Sequence, residues 1–154
     1  MKGLKTAVLG LTVLAFLAFA GVGAAVASGG SSARPAAVAS GSSALGRIIV
    51  DSRGRTLYLF EKDRRGASAC SGVCLAYWPP LLTSGTPTVI KGAKPSLLGK
   101  IRRADGTRQV TYAGHPLYLF SGDTARGQTN GEGLKDFGAA WYVLMPSGTK
   151  IDRD

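Results

Sequence analysis

The chain is poor in the groups that most metal and redox sites are built from: it has 2 cysteines and 1 histidine in 154 residues. A structural zinc site needs four ligands, so Cys70, Cys74 and His115 fall short of one. A covalent haem would need histidine directly after the second cysteine, where Leu75 stands. Acidic residues are also scarce, 9 against 19 Lys and Arg. Beyond residue 27 no stretch keeps apolar residues at helical spacing, which excludes a helix bundle and a coiled coil. No Ser-His-Asp or metalloprotease motif occurs. The Gly-rich run GQTNGEG (127–133) lacks both the strand-then-helix setting of a dinucleotide loop and the Lys-Ser/Thr of a phosphate loop.

Glycine and proline are abundant, 22 and 7. They show no collagen triplet, so the excess points to short strands joined by turns. Lys2 and Lys5 precede an apolar run from Ala7 to about Ala20, and Ala25-Val26-Ala27 follows with the small residues that signal peptidase reads. Residues 1–27 therefore read as a secretory signal, with a retained anchor helix as the competing reading. In either case the remainder lies outside the cytoplasm. The next segment, GGSSARPAAVASGSSALG, has almost no large apolar side chain and reads as a flexible linker over 28–46. Loss of the signal takes the net charge from +10 to +8. The basic residues are scattered, from Arg47, Arg53, Arg55, Lys62, Arg64 and Arg65 to Lys91, Lys94, Lys100, Arg102, Arg103 and Arg108. No nucleic-acid-binding signature accompanies them. Outside a cell such a field suits an anionic envelope component, wall polymer or lipid head groups, or an envelope protein.

Gly54 to Asp63 returns 60 residues later as Gly114 to Asp123, with the shared pattern G-x-x-L-Y-L-F-x-x-D, and aromatic pairs close both copies (Tyr77-Trp78, Trp141-Tyr142). Leu-Tyr-Leu-Phe suits a buried strand with Tyr58 and Phe60 on one face and Leu57 and Leu59 on the other. A hairpin is expected over Arg47 to Phe60. A three-stranded meander is expected over Lys100 to Phe120, with Asp105-Gly106 as a two-residue turn and Ala113-Gly114 as the next. Ser96 to Ile101 or Gly133 to Phe137 is expected to form one helical turn. The fold expected is all-β: a small pseudo-symmetric antiparallel module of two repeats (47–83 and 99–148), with a connecting loop (84–98) and a tail (149–154).

The Tyr-x4-Asp motifs, Tyr58 with Asp63 and Tyr118 with Asp123, read first as structure. The carboxylate fixes a turn, and the buried phenol gives its hydroxyl to an acceptor such as that same Asp. Trp78 and Trp141 read as core. Cys70 and Cys74 can form a disulfide, a metal pair or a redox dithiol, and export favours the disulfide. His115 reads as a turn residue and a weak metal candidate. Asp123, Glu132 and Asp136 lack the ligand spacing of a calcium loop.

These motifs resemble the secreted-repeat family of unknown function, predicted lipoproteins with a Y-x4-D motif. The residues that carry the likeness are Tyr58 with Asp63, Ser68-x-Cys70-x3-Cys74, Trp78-Pro79-Pro80, Arg103-x-Asp105-Gly106, Gln109 to Tyr112, Tyr118 with Asp123, Gly127-Gln128 and Phe137-Gly138 before Trp141. The resemblance implies an extracytoplasmic β-rich module without an assigned activity. The lipid-bearing cysteine that the family label implies is absent before Cys70. The function expected is a non-enzymatic envelope module with no cofactor. Two alternatives are an extracytoplasmic redox or metal-carrying protein using Cys70, Cys74, His115 and the tyrosines, and a wall-glycan hydrolase using Asp63 and Asp123.

Overall fold

A computed structural model describes residues 34–152. The signal or anchor segment and the first part of the expected linker lie outside the described residues. Among the described residues no helix is long and apolar enough to cross a membrane. The elements in order are β1 (Ala37–Ser43), β2 (Gly46–Asp51), β3 (Tyr58–Phe60), the one-turn helix α1 (Cys74–Tyr77), β4 (Thr88–Val89), a 3-10 turn (Pro95–Leu97), β5 (Leu98–Arg102), β6 (Arg108–Tyr112), β7 (His115–Pro116), β8 (Lys135–Asp136) and β9 (Ala139–Val143). They form three small sheets, ordered β2-β1-β4, β3-β9-β8 and β5-β6-β7. The fold is all-β, as the turn-rich composition requires, and β1–β4 is the one parallel pair among the described strands.

The repeat is visible in the hydrogen bonds. The β1–β2 hairpin, with Ala39 opposite Val50, corresponds to the β5–β6 hairpin, with Lys100 opposite Val110. The Leu57 N–H then bonds to Ile49 O, as the Leu117 N–H bonds to Val110 O. The two copies meet at their tyrosines: Tyr58 N–H donates to Tyr118 O at 2.9 Å and Tyr118 N–H to Tyr58 O at 3.0 Å. Beyond this crossing each copy gives its closing segment to the other. β9, from the second copy, pairs with β3 of the first, Val143 opposite Tyr58. Pro79 to Leu81, from the first copy, bonds along Leu117 to Leu119 of the second. The two halves are therefore interlocked rather than juxtaposed.

Strand alternation sorts the side chains into two cores. Tyr58 and Phe60 enter an aromatic cluster with Trp78, Tyr118 and Trp141. Leu57 and Leu59 enter an aliphatic one with Val110, Leu117 and Leu144.

Five local expectations are corrected. The linker expected over 28–46 includes β1, whose Val38, Ala39 and Ser40 are buried. Its order comes from backbone pairing along six positions of β2, and a composition argument counts only side chains. Small residues are required there, since a Cβ on Gly41 would lie 2.9 Å from a Val50 methyl. The Asp105-Gly106 turn is longer than two residues: Arg103 N–H bonds to Thr107 O, and only Gly106 has positive φ. That is a three-residue loop closed by a glycine in the left-handed region. Two-residue turns with positive φ at both positions are Ala113-Gly114, and Phe137-Gly138 with φ of 58° and 90°. The helical turns lie at Cys74–Tyr77, where none was expected, and at Pro95–Leu97, which shares Ser96 and Leu97 with the expected window before strand β5 takes over, and 133–137 instead leads into strand β8. The connecting stretch 84–98 is more than a loop, since it holds β4 against β1. The tail folds back as well, with Ile151 N–H on Val143 O and its side chain buried.

Candidate functional site

The repeated motif comes together across the copies. Tyr58 Oη donates to Asp123 Oδ2 at 2.6 Å, and Tyr118 Oη donates to Asp63 Oδ2 at 2.8 Å. The expectation that a tyrosine serves its own copy's aspartate is thereby corrected. Each aspartate follows a turn at the end of its strand, with Asp63 N–H on Phe60 O and Asp123 N–H on Phe120 O, and the crossing of the copies brings it to the other copy's tyrosine. The other oxygen of each carboxylate holds a loop: Asp63 Oδ1 accepts the Ala69 N–H at 2.7 Å, and Asp123 Oδ1 accepts the Asn130 N–H at 2.9 Å.

The two sites differ in what surrounds them. Around Tyr118 the hydroxyls of Tyr118 and Ser68 lie 2.6 Å apart, and Arg103, buried at 8% exposure, reaches in from the end of β5. Its guanidinium donates to Ser68 Oγ at 2.8 Å, to Gln109 Oε1 at 2.6 Å and to Cys70 O at 2.7 Å. Gln109 passes the chain on, its Nε2 donating to Leu117 O. Around Tyr58 no guanidinium among the described residues makes a contact of this kind, and the Gly131 N–H donates to the phenol oxygen at 3.3 Å. Arg103 and Gln109 are the residues the sequence reading missed as parts of a site. Both stand in the quoted motifs, and a charge and an amide beside a run of β-formers was the available signal.

Burial dominates the titration of these groups. It pushes Asp63 from its ordinary 3.8 up to about 6, against the Ala69 N–H, the Tyr118 hydroxyl and the Arg103 charge, which pull it down. Asp123 is raised by burial too, and both phenols are raised, again chiefly by burial. A carboxyl whose pKa is higher folded than unfolded binds its proton more tightly in the native state. Its contribution is then fully present below the ordinary 3.8 and is lost as pH rises through about 6. Urea midpoints of wild type and Asp63→Asn should therefore diverge across that window, with the wild type losing stability relative to the variant as pH rises. Parallel curves through it would disprove the assignment.

The aromatic core is a stack. Phe60 lies on Trp141 (4.0 Å between centroids, 7° between planes), Trp141 on Trp78 (3.9 Å, 3°) and Trp78 on Phe120 (4.4 Å, 30°). The order Phe-Trp-Trp-Phe repeats the symmetry of the copies. Each tyrosine presents an edge to one indole, Tyr58 to Trp78 at 5.3 Å and Tyr118 to Trp141 at 5.1 Å. The Trp141 indole N–H donates to Asp136 O, whereas the buried Trp78 indole N–H has no acceptor among the described residues.

Two clefts flank the stack, related position by position. One, of about 700 Å³, is lined by Leu59, Phe60, Asp63 and His115, and the other, of about 220 Å³, by Leu119, Phe120, Asp123 and Arg55. In the smaller, Arg55 is tied to Asp51 at 2.7 Å. In the larger, His115 is half-buried at the head of β7 and is held below its usual pKa by burial and by Arg65. Lys150 closes the rim, 2.7 Å from both Glu61 and Asp152.

Cys70 and Cys74 form a disulfide with a Cα separation of 5.5 Å, closing the loop that leads into α1. Trp78 and Trp141 are fully buried. Among the described residues no three acidic, cysteine or histidine side chains gather to hold a metal. Glu132 accepts the Val143 N–H, and Asp136 sits in a hairpin with its backbone carbonyl on Trp141. Arg53, Arg64, Arg65, Lys91, Lys94, Lys100, Arg102 and Arg108 stand exposed.

A family model described as a secreted repeat of unknown function matches the chain twice, over residues 40–82 and 99–145. The first match begins inside β1, in agreement with the corrected start of the first copy. No curated protein and no solved structure matches the chain.

Proposed function

From the premise that the chain belongs to the family of secreted repeats of unknown function, we propose that it is a non-enzymatic module of the cell envelope. Its basic surface binds an anionic envelope component, wall polymer or lipid head groups. The observation that carries this reading is the use made of the repeated motif. Both tyrosines and both aspartates are engaged in joining the two copies, at distances of 2.6 and 2.8 Å, so the most conspicuous polar groups serve assembly. The exposed Lys and Arg are what the surface offers to a partner.

The alternatives receive less support. A metal pair at Cys70 and Cys74 would need free sulfurs, and both are in the disulfide; redox cycling of that disulfide would need a thiol to reach it, and both cysteines are buried. A hydrolase would need Asp63 or Asp123 as acid or nucleophile, and each has both oxygens occupied by a phenol and a backbone N–H.

Co-sedimentation of the purified protein with isolated wall material, and with vesicles with and without phosphatidylglycerol, tests the proposal. Binding to wall or to anionic vesicles is expected at low salt, with release as ionic strength rises and weakening in Arg64→Glu/Arg65→Glu. Absence of binding to both at low salt would defeat it.

A further inference from the structure

We infer that the stacked core is a one-electron relay, through which Tyr58 and Tyr118 give electrons to a diffusible one-electron oxidant outside the cytoplasm. Ring contact, a proton acceptor in place, and an indole unable to shed its proton support this together, and none of them is needed for the proposed binding.

Contact is continuous. From Phe120, which lines the smaller cleft, the rings run to Trp78 and Trp141 without an intervening aliphatic side chain. Tyr58 abuts Trp78, and Tyr118 abuts Trp141. An electron deficiency placed on the indole pair is therefore next to a phenol on either side.

Proton chemistry sets the direction. An oxidised phenol is a strong acid, and its oxidation is easiest where a base already holds the proton. Each tyrosine hydroxyl is on a carboxylate oxygen, at 2.6 Å for Tyr58 and 2.8 Å for Tyr118. The buried Trp78 indole N–H has no acceptor among the described residues, and the Trp141 N–H meets a backbone carbonyl, a very weak base. An indole radical cation that cannot lose its proton remains a strong oxidant. It takes an electron from the phenol whose proton can leave.

The step balances. The oxidant takes one electron from Trp78 and departs reduced by one electron. Trp78 recovers that electron from Tyr58. The Tyr58 O–H bond breaks and its proton passes to Asp123 Oδ2. The products are neutral Trp78, the Tyr58 phenoxyl radical and protonated Asp123. The same sequence runs from Trp141 to Tyr118 and Asp63. Asp123 lines the smaller cleft and Asp63 the larger one, so each proton can afterwards exchange with solvent.

Pulse radiolysis of the full chain with azidyl radical, which oxidises indoles, reads the relay directly. The indolyl absorption should decay at a rate independent of protein concentration while the phenoxyl absorption grows at the same rate. That growth should be slower in heavy water. Tyr58→Phe and Tyr118→Phe should each reduce the phenoxyl yield, the double variant should abolish it, and Tyr77→Phe, at an exposed ring, should leave it unchanged. Asp123→Asn should slow the growth with Tyr58 in place. Three results would overturn the relay: indolyl decay that scales with protein concentration, equal rates in light and heavy water, or a phenoxyl yield that is lost in Tyr77→Phe. The first two need only the unaltered protein, so a variant that folds poorly does not protect the proposal.

Discussion

Trp141→Ala is expected to destabilise the protein by about 4–5 kcal/mol, enough to unfold much of a domain whose total stability is about 5–15 kcal/mol. The indole has no solvent exposure and lies between Phe60 and Trp78, with the edge of Tyr118 against it. Truncation removes the transfer free energy of a large side chain and leaves a cavity that flat rings on both sides cannot collapse to fill. Ring-on-ring contacts add about 0.5–1.5 kcal/mol each beyond area burial, and Asp136 O loses its indole donor. A denaturant titration should show a lower midpoint with an unchanged slope. Tyr77→Ala, at a side chain with 53% exposure, should fall within about 0.5 kcal/mol of wild type. If the two variants proved equally stable, the stack would not be the centre of the fold.

The second large effect is expected at Arg103. Arg103→Met keeps the length of the side chain and removes the charge with its donors. Three acceptors are then deprived together, Ser68 Oγ, Gln109 Oε1 and Cys70 O. Each buried acceptor left under-bonded costs about 1–3 kcal/mol, so the loss of all three together is a large effect. Arg103→Lys should recover only part of this, since one ammonium cannot reproduce a planar fork directed at three oxygens. Loss of the positive charge should also raise the pKa of Asp63 further, because that charge is among the influences that hold it down. Chemical shifts of the Asp63 carboxyl carbon through a pH titration would measure this separately from stability. A stability change under about 1 kcal/mol in Arg103→Met would show that the network is ornamental.

Much of this fold is legible in the sequence. The self-similarity of Gly54–Asp63 and Gly114–Asp123 fixes the two-copy plan, and the alternation in Leu-Tyr-Leu-Phe fixes which side chains meet. What is not legible has a common cause, namely pairing between distant segments. Ala37–Ser43 reads as linker because its order is supplied by β2 and by the Lys91 carbonyl, neither of which is encoded in its own composition. The partner of Tyr58 is Asp123 rather than Asp63 for the same reason: spacing along one copy carries no information about how two copies cross. Arg103 looks like one more surface cation until the loop that carries Cys70 is folded over it. The Asp105-Gly106 turn differs in kind, since local sequence alone allows both turn lengths and the register of β5 on β6 decides between them.

The exchange of closing segments also bears on assembly. Because β9 completes the sheet of the first copy and Pro79 to Leu81 completes the second, neither copy holds all of its own hydrogen bonds. The same inventory of contacts would be satisfied if the second copy came from another chain. Closure on itself is favoured because residues 84–98 keep the halves at a high effective concentration and because β4 anchors that connection to β1. The single chain is in this sense a tethered domain-swapped dimer. The connection that holds the two copies in one chain is short and is itself docked through β4 on β1.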